Sequence, residues 1–396
     1  MQRTRRHGIG VSLGIYLALL VLIGIQSEQT HAVTTGVELN AEHFPDVTFR
    51  NYVASFDQNN DNQLSETELQ LVREIDVENE GEGSGISNLA GIEYFKALEA
   101  LNCNYNKLDN LDVRQNKNLA VLKCVCTHIA QLDVSDNGNL SYLDCHYNEL
   151  SNLNVSNNRK LQQLYCGYNK LRNLNVSQNS SLTDLNCECT QLSQLDISNN
   201  HALVNLNCSG NKLSVLNVGS NAELVSLSCA TNELTNLDVG KNKKLTSLNC
   251  GQNLLENLNL SKNLSLDNLE CESNELNGLD VSNHTELTTL DCRENQLFSL
   301  NVNGCVTLTD LDCRRNKLSN LNVSSCTALE SLLCGENQLK NLDVSNNKAL
   351  SELSCWDNQL THLDLSNKAL RNLDCDGNQL KDLDVSDNKA LSELSC

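Results

Sequence analysis

A cysteine recurs at an almost constant interval through three quarters of this 396-residue chain. Thirteen of the fourteen intervals are 21 residues and one is 20, with the cysteines at positions 103, 124, 145, 166, 187, 208, 229, 250, 271, 292, 313, 334, 355, 375 and 396. Around each cysteine the sequence follows L-x-x-L-x-C-x-x-N-x-L-x-x-L-D-V-S-x-N-x-x, which gives fourteen full coils from Leu98 to Ala390 and a fifteenth cut off after six residues. A unit this short buries its apolar face only by stacking on its neighbours, so the period predicts a solenoid.

This pattern resembles the leucine-rich repeat, in the short internalin-like bacterial class where Cys replaces the third Leu of L-x-x-L-x-L-x-x-N. One coil shows it in Leu245, Leu248, Cys250, Asn253 and Leu255. The resemblance implies an α/β solenoid of right-handed coils, with a parallel β-sheet on the concave face that binds a protein or another cell-surface ligand. Apart from the resemblance, short parallel strands would stack about 4.8 Å apart with Leu and Cys side chains inward. We number the coils from coil 1 at Cys103 to coil 15 at Cys396.

Asparagine recurs at two positions of the repeat, and each position predicts a buried ladder. Every coil turns the backbone inside the solenoid, where N–H and C=O groups need partners that an amide side chain can supply. The first ladder runs through positions 106, 148, 169, 211, 232, 253, 274, 295, 316, 337, 358 and 378, with Thr127 and Thr190 keeping a hydroxyl in two coils. The second lies in the convex half, where we expect a short extended segment, at positions 116, 137, 158, 179, 200, 221, 242, 263, 347, 367 and 388.

The nineteen cysteines allow three interpretations. Disulfides are common outside the cell, but side chains in register on parallel strands keep their Cβ atoms near the strand spacing, beyond the ~3.8 Å that a disulfide prefers. The two Cys-x-Cys sequences, at Cys124 and Cys187, lack the matched second pair of a zinc ribbon. We therefore expect reduced, buried thiols. Cys305 and Cys326 replace two convex asparagines and stack on each other, which makes them the best candidates for a disulfide.

Residues 1–32 have the features of an export signal. Three arginines precede an apolar run from Ile9 to Ile25, and the small residue Ala32 offers a cleavage position. The run also reaches the short limit of a membrane-spanning helix, ~17 residues, so an uncleaved N-terminal anchor is the alternative. Either way we expect the rest of the chain outside the cytosol, secreted or at the cell surface, with no other membrane insertion.

The non-repeating residues 33–84 contain a sequence typical of an EF-hand calcium loop. Oxygen-bearing side chains at loop positions 1, 3, 5, 9 and 12, with a backbone carbonyl at position 7, give as predicted ligands Asp57, Asn59, Asp61, Gln63, Ser65 and Glu68. Asn62 stands where Gly normally makes the sharp turn, and Asn tolerates the left-handed conformation better than other residues. The segment resembles the EF-hand-like cap found before many secreted bacterial leucine-rich repeats. The alternative is a helix-loop-helix cap that binds no metal.

Apolar residues flank this loop at helical spacing. We expect a helix on each side, carrying Phe49, Tyr52, Val53 and Phe56 before the loop and Leu69, Val72 and Ile75 after it. Residues 85–97 then form an irregular coil that leads into the repeats, residues 98–396. Such a segment would cover the exposed core of the first coil, as a solenoid requires.

Few aromatic residues are available to line an enzyme cleft, and twelve of the fourteen precede residue 169. Positions beside the inward Leu and Cys face the concave side, and aromatic residues there favour ligand binding. The predicted ligand-binding residues are Tyr142, His146, Tyr147, Tyr165 and Tyr168, with Trp356 as a second anchor. Tyr147 and Tyr168 stand one residue beyond the strand positions, where side-chain direction is open. The alternative is that tyrosine occurs on these strands only for its β-propensity.

A charged stretch in coils 10 and 11 allows two interpretations. It is either a second contact or an ion ladder between strands, and consists of Asp291, Arg293, Asp310, Asp312, Arg314 and Arg315.

We find no catalytic constellation in the sequence. Cys126 and His146 approach each other on adjacent strands, but the sequence shows nothing that orients the histidine. The net charge of −21 argues against nucleic-acid binding. We therefore expect a monomeric, non-enzymatic recognition or adhesion protein that binds a protein or surface glycan on the concave face. The alternative is the non-catalytic N-terminal region of a larger secreted or wall-anchored enzyme, because ending in mid-strand at Cys396 exposes solenoid core.

Overall fold

A computed structural model describes residues 36–79 and 85–396. The predicted export signal, residues 1–32, lies outside the described residues. Among the residues that the structure describes, no helix is both long and apolar enough to cross a membrane.

A short region of two helices and three strands precedes the repeats. Helix α1 begins after Asp46, whose Oδ1 accepts hydrogen bonds from the N–H groups of Thr48 and Phe49 at 2.9 and 3.0 Å, because the first N–H groups of a helix have no partner within it. The elements are β1 (Val37–Glu38), α1 (Val47–Val53), β2 (Gln63–Leu64), α2 (Glu66–Leu71) and β3 (Glu74–Asp76), with 3₁₀ turns at Ala54–Phe56 and Ile92–Tyr94.

The second predicted helix is shorter than expected. Helix α2 ends at Leu71, and Ile75 is instead the buried centre of β3. Strand β3 pairs in parallel with the first repeat strand, so that Ile75 lies opposite Leu101. The end of the cap is therefore the first strand of the solenoid sheet, and it covers the edge of the first repeat strand with backbone hydrogen bonds as well as apolar packing.

Each coil contributes one three-residue strand to a parallel sheet, as the leucine-rich repeat pattern predicts. Fifteen repeat strands and β3 form this sixteen-stranded sheet, which lies on the concave face. Two further strands, β13 and β15, form a separate sheet. In chain order the strands of the repeats are β4 (Ala100–Asn102), β5 (Val121–Lys123), β6 (Tyr142–Asp144), β7 (Gln163–Tyr165), β8 (Asp184–Asn186), β9 (Asn205–Asn207), β10 (Ser226–Ser228), β11 (Ser247–Asn249), β12 (Asn268–Glu270), β13 (Gly278–Asp280), β14 (Thr289–Asp291), β15 (Ser299–Asn301), β16 (Asp310–Asp312), β17 (Ser331–Leu333), β18 (Glu352–Ser354), β19 (Asn372–Asp374) and β20 (Glu393–Ser395).

The register of the large sheet is set by a leucine at the centre of every repeat strand. Leu143, Leu164 and Leu185 lie opposite one another in β6, β7 and β8, and all three are buried. A shift of one residue would turn each leucine to solvent, because side chains alternate along a strand. The residues on either side of the leucine therefore point out of the sheet, and the repeat leaves them free to vary.

The first asparagine ladder joins each coil to the preceding one. Asn253 Nδ2 donates to the carbonyl oxygens of Cys250 and Gly251 in its own coil, and of Cys229 in the coil before, each at 3.1 Å. Its Oδ1 accepts the N–H of Leu234, also in the coil before, at 3.0 Å. Both ends of the amide are bonded, so the ladder supplies the partners that the turns need.

Two coils carry threonine at this ladder position. Thr127 Oγ1 donates to Cys124 O at 3.0 Å and to Asn148 Oδ1 at 2.9 Å. Thr190 makes the equivalent pair of bonds in coil 5. The hydroxyl therefore keeps the donor of the ladder, as the sequence predicts.

The convex asparagines use one end of the amide. Asn242 Nδ2 donates to Val218 O at 3.0 Å and to Asn221 O at 2.7 Å, both in the preceding coil. Its Oδ1 is buried and accepts no hydrogen bond from the described residues, as in the other asparagines of this ladder. Each convex asparagine thus makes two side-chain bonds to the preceding coil, as Asn253 does, but it lacks the two further bonds that Asn253 makes within its own coil.

The expected extended segment on the convex side is a strand only in coils 9 and 10, where β13 and β15 pair with Leu279 opposite Leu300. The other described coils have no named strand in this segment. The two strands lie beside His284 and Cys305, which replace convex asparagines. In most other coils the last carbonyl of this segment accepts from a convex asparagine, as Val218 O does from Asn242.

All nineteen cysteines lie within the described residues and are free thiols. Cys305 and Cys326, our best candidates for a disulfide, are not bonded to each other. Cys305 Sγ donates to Val281 O at 3.1 Å and Cys326 Sγ to Val302 O at 3.6 Å. Each thiol thus replaces the amide donor of a convex asparagine. In the main ladder, burial raises the pKa of the Cys250 thiol to about 12, which agrees with a reduced, unreactive core.

Candidate functional site

The candidate site is built on strands β6 and β7, in coils 3 and 4. Because the central leucines point inward, Tyr142 and Asp144 of β6 and Tyr165 of β7 lie on the outer surface of the sheet. Asp144 is directly opposite Tyr165. The ring centroids of Tyr142 and Tyr165 are 5.6 Å apart, with the rings inclined by 46°. These two tyrosines are therefore in aromatic contact across neighbouring strands.

His146 extends this contact along coil 3. Its ring centroid is 5.7 Å from that of Tyr165, and its Nδ1 is 2.9 Å from Asp144 Oδ1. The expectation that nothing orients this histidine is wrong, because Asp144 lies two residues earlier on the same face. In the described part of the chain no thiol or hydroxyl is hydrogen-bonded to the His146 ring. The Cys126 N–H donates to the backbone carbonyl of His146 at 3.1 Å, so these two residues are joined through main-chain atoms. The arrangement therefore presents no activated nucleophile.

Tyr147 and Tyr168 complete the site from the turn that follows the strand. Their backbone is left-handed, with φ of 54° and 53°, and the equivalent residue is left-handed in each of coils 1–14. The two rings are parallel, 4.2 Å apart and inclined by 9°, and they are 52% and 39% exposed. The structure thus brings together five predicted residues, which we call the tyrosine patch: Tyr142, His146, Tyr147, Tyr165 and Tyr168.

Two carboxylates of coil 5 border the tyrosine patch. Asp184 begins β8, and Glu188 lies four residues further on. Burial, followed by the charge of Asp184, raises the pKa of Tyr165. The charge of Glu188, followed by a hydrogen bond with Tyr147, raises the pKa of Tyr168 to about 12. The hydroxyls of Tyr165 and Tyr168 therefore stay protonated at neutral pH, and the patch places aromatic rings beside carboxylates.

Trp356 lies outside the tyrosine patch. It follows β18, and eight strands of the sheet separate β18 from β7, which corresponds to roughly 40 Å at the usual strand spacing. Its indole lies over Gly335 of the preceding coil, where an added Cβ would come within 2.4 Å of the indole Nε1. The structure therefore does not bring this predicted anchor to the tyrosines.

The charged stretch of coils 10 and 11 forms an ion ladder. A guanidinium nitrogen of Arg293 is 3.0 Å from Asp291 and 3.4 Å from Asp312, and Arg314 pairs with Asp312 at 2.6 Å. Arg315 bridges carboxylates of coils 10 and 12, both at 2.7 Å. Asp310, the sixth residue of the predicted stretch, forms no ion pair with the others. We call the joined residues the ion-pair cluster: Asp291, Arg293, Glu294, Asp312, Arg314, Arg315 and Glu336.

The predicted calcium loop has the turn that the motif requires. Asn62 is left-handed, with φ of 64°, and its N–H donates to Asp57 Oδ2 at 2.9 Å. Glu68 accepts the N–H groups of Gln58 at 2.7 Å and Ser65 at 2.8 Å. Asp57 Oδ1 is buried and accepts no hydrogen bond from the part of the chain that the structure describes. Within residues 36–79 and 85–396, no three His, Cys, Asp or Glu side chains are gathered closely enough to hold a metal ion.

Known structures resemble this chain over most of its length. The functional domain of InlJ from Listeria monocytogenes, which includes a cysteine ladder, is 32% identical with a TM-score of 0.71, over 85% of this chain and 79% of that chain. The chain belongs to the internalin family of leucine-rich repeat proteins. An internalin from the same organism, InlF, is 19% identical with a TM-score of 0.70, over 91% and 98% of the two chains, and supports the fold alone.

YopM from Yersinia enterocolitica is a more distant match to this internalin-like chain. It is 26% identical with a TM-score of 0.62, and the match covers 73% of this chain and 62% of that chain. No protein-family model and no curated protein sequence matches the chain. The shared architecture identifies the chain as an internalin-like solenoid.

Three charged residues beside the tyrosine patch of this internalin-like solenoid escaped the sequence prediction. Besides Asp184 and Glu188, Lys123 of coil 2 places its Nζ 5.8 Å from the ring centroid of Tyr142. All three occupy outward positions of the repeat: Asp184 that of Tyr142, Lys123 that of Tyr165, and Glu188 that of His146. Comparing the charge at these positions between neighbouring coils would have found them, whereas a search for aromatic residues alone did not.

Proposed function

We propose that this chain is exported and acts as a recognition or adhesion protein, with the tyrosine patch as its site for a protein ligand. The observation that carries the proposal is the mutual contact of five aromatic and imidazole side chains on one surface of the sheet. Tyrosine is enriched at the energetic centres of protein interfaces, because its ring buries apolar area while its hydroxyl can donate a hydrogen bond.

The tyrosine patch is well suited to an interface because it is preorganised. Tyr142 and Tyr165 are half-buried and rest on each other, while Tyr147 and Tyr168 stack at the edge and stay exposed. Their backbone is fixed by the hydrogen bonds of the sheet and the turn. Binding would therefore immobilise few additional side-chain rotamers, which lowers the entropic cost of association.

Export is supported by residues 1–32 and agrees with the chemistry of the ladder. Thiols in the core have raised pKa values because of burial, as for Cys208, at about 12. Such thiols react slowly with oxidants and disulfides. The solenoid therefore needs no reducing compartment to keep its buried ladder cysteines unpaired.

A random peptide library displayed on phage tests the proposed site without assuming a ligand. We expect selection on the full chain to yield peptides whose binding is lost in the Tyr147→Ser and Tyr165→Ser variants. Val215→Ser is the matched control, because Val215 is 72% exposed and lies outside the patch. Peptides that bind the tyrosine variants as well as the original chain would contradict the proposed site.

We further propose that the cap binds calcium. The buried Asp57 Oδ1 without a hydrogen-bond partner supports this, because an oxygen in that state suits a cation. Calcium would bring positive charge among three carboxylates and tie the loop to α2. The residues that would hold it are the side chains of Asp57, Asn59, Asp61, Ser65 and Glu68 and the carbonyl of Gln63.

Calorimetry on the full chain tests the calcium proposal. Binding to the folded cap stabilises it by mass action, so about 1 mM calcium should raise the melting temperature of the cap transition. Asp57→Asn and Glu68→Gln keep the shape of the loop and should remove the shift, whereas Asp196→Asn in coil 5 should not. A melting profile of the original chain that calcium leaves unchanged would show that the loop only connects two helices.

A further inference from the structure

We propose that the tyrosine patch binds a lysine or arginine side chain of its protein partner. This inference rests on the proposed function of the patch and specifies the chemistry of the ligand. It rests on three observations. Two carboxylates have no cationic partner among the described residues, aromatic rings lie beside them, and an ammonium group of the chain already lies over one ring of the patch.

The carboxylates of Asp184 and Glu188 receive hydrogen bonds from neutral groups. The Asn205 amide donates to Asp184 at 2.7 Å, and the amides of Asn186 and Asn207 donate to Glu188 at 3.1 and 3.0 Å. Among the described residues no Lys, Arg or His forms an ion pair with either carboxylate. Both carboxylates are therefore open to an ion pair with an incoming cation.

The ion-pair cluster shows that the same sheet can neutralise its own acids. There Asp291 and Asp312 have arginine nitrogens at 3.0 and 2.6 Å. A cation arriving at the cluster would have to displace these guanidinium groups. At Asp184 and Glu188 it would instead add a charge-assisted hydrogen bond to a carboxylate held only by amides and hydroxyls.

One ring of the tyrosine patch already accepts a cation. Lys123 Nζ lies over the Tyr142 ring, 5.8 Å from its centroid, which is within the ~6 Å range of cation–π attraction. Coil 2 thus supplies a cation at one end of the patch. At the other end the rings of Tyr165 and Tyr168 border coil 5, which offers carboxylates and no Lys or Arg.

Gly167 brings ring and carboxylate close together over coil 4. An added Cβ at this position would lie 2.9 Å from both His146 Cδ2 and Glu188 Cγ. The missing Cβ therefore lets the His146 ring and the Glu188 side chain come together over coil 4. A guanidinium group suits a surface that presents a ring next to a carboxylate, because its N–H edge bonds the carboxylate while its plane stacks on the ring. The overall charge of −21 would also attract a basic partner at long range.

A pair of peptides tests this inference on the full chain. The probe is a short acetylated peptide of alternating arginine and serine with a fluorescent label, and its counterpart carries citrulline, which has nearly the same shape without the charge. We expect fluorescence anisotropy to show about tenfold tighter binding of the arginine peptide. The Asp184→Asn, Glu188→Gln double variant should weaken that binding by about tenfold.

Asp310→Asn is a matched control for the charge. Asp184 and Asp310 both begin a strand of the sheet, and each accepts the hydroxyl of the preceding threonine at 2.7 Å. The control should bind the arginine peptide as the original chain does. Equal binding of both peptides, an equal loss in the Asp310→Asn variant, or no binding to the original chain would each overturn the inference.

The phage selection separates this inference from the proposed function. Selected peptides that depend on Tyr147 and Tyr165 and are enriched in Lys or Arg support both. Peptides that depend on these tyrosines without such enrichment leave the patch as a binding site but overturn its preference for a cation. Peptides that are indifferent to both tyrosines overturn the proposed function itself.

Discussion

Two regions of one sheet handle acidic side chains in opposite ways. In the ion-pair cluster each carboxylate contacts an arginine at 3.4 Å or less. Beside the tyrosine patch, Asp184 and Glu188 contact amides and hydroxyls. Both regions stand on the same inward leucines and cysteines, although coil 5 has Thr190 in the first asparagine ladder and coils 10 and 11 have Cys305 and Cys326 in the convex one. These inward differences do not touch the carboxylates. The difference in how the two regions pair their carboxylates comes from the outward residues.

This comparison shows what the repeat constrains and what it leaves open. Inward positions must fit between two neighbouring coils, so they change little along the chain. Outward positions contact only their neighbours on the sheet surface, where single ion pairs add little stability. Where each carboxylate is already paired with an arginine, a ligand gains little by binding there. Where carboxylates lie unpaired beside aromatic rings, a cationic partner can still form ion pairs with them.

The largest expected effect tests whether the two regions share one scaffold. Asn169 below the tyrosine patch and Asn295 below the ion-pair cluster each donate to three carbonyls and accept one N–H. Replacing either by Ala leaves buried backbone groups without partners. We expect each variant to lose about 3 kcal/mol of unfolding free energy, measured by urea denaturation.

Cys166→Ala is the control for this ladder experiment. It removes one small buried atom from the same coil as Asn169 and should cost about 1 kcal/mol. A clear difference between Asn169→Ala and Asn295→Ala would show that the two regions do not rest on equivalent scaffolds. The comparison would then need a structural explanation in addition to a chemical one.

The fold was largely predictable because its cause is periodic. A spacing of 21 residues with Leu, Cys and Asn at fixed positions specifies the strand, its buried face and the ladder bonds. The exception in the cap, Ile75, has no repeat to identify it. Its apolar spacing fits a helix, whereas pairing with Leu101 makes it a strand, and that contact is invisible to a local pattern.

The site was predictable in part. Strand alternation placed Tyr142, His146 and Tyr165 on the outer face, but it could not place Tyr147, whose left-handed backbone takes it out of the alternation. The orientation of His146 by Asp144 depends on side-chain geometry. Trp356, predicted as a second anchor, lies in coil 13, and its separation from the tyrosines follows from the number of coils between them.

The second prediction adds an arginine beside the tyrosine patch, so that a bordering carboxylate is paired as the carboxylates of the ion-pair cluster are. The Asn207 amide already donates to Glu188 Oε2 at 3.0 Å. Asn207→Arg would put a cation at that carboxylate, as Arg293 does for Asp312 in the cluster. We expect affinity for the arginine peptide to fall by about tenfold, with Asn207→Gln as the neutral control. Unchanged affinity in Asn207→Arg would mean that Glu188 does not take part in binding.

The third prediction concerns pH at the ion-pair cluster. Burial, with a further contribution from Asp312, raises the pKa of Asp291 to about 6 despite the nearby Arg293. Since this value exceeds that of an unfolded chain, ~3.9, the folded state binds the proton more tightly. Stability should therefore fall as pH rises from about 4 to 6 and be recovered on acidification.

Urea denaturation at a series of pH values checks this dependence. Asp291→Asn should lose the part that belongs to this carboxyl, about 1 kcal/mol after allowance for solvent screening. The neighbouring groups Arg293, Asp312 and Glu272 remain in the variant, so their own titration is common to both proteins. Identical pH profiles would show that Asp291 titrates normally and that the cluster is more open to solvent than its geometry implies.

The smallest expected effect isolates the backbone that both regions share. Thr231 lies in coil 7, between the two regions, with φ of 54°, and its hydroxyl makes one exposed bond to Gln252 at 3.3 Å. A left-handed conformation costs a residue with a Cβ about 1 kcal/mol, most clearly a β-branched one. Thr231→Gly removes that cost but gives the unfolded chain more freedom, so we expect a net gain of about 0.5 kcal/mol in unfolding free energy.

Thr231→Ala loses the same hydroxyl and keeps the Cβ, so it should show no gain. Gly210→Ala, where the new Cβ would lie 2.6 Å from Cys189 Sγ at the same turn position, should destabilise. A gain in Thr231→Ala equal to that in Thr231→Gly would mean that the threonine side chain, rather than the left-handed backbone, is the source of strain, and the turn that carries Tyr147 and Tyr168 would then be less constrained than we infer.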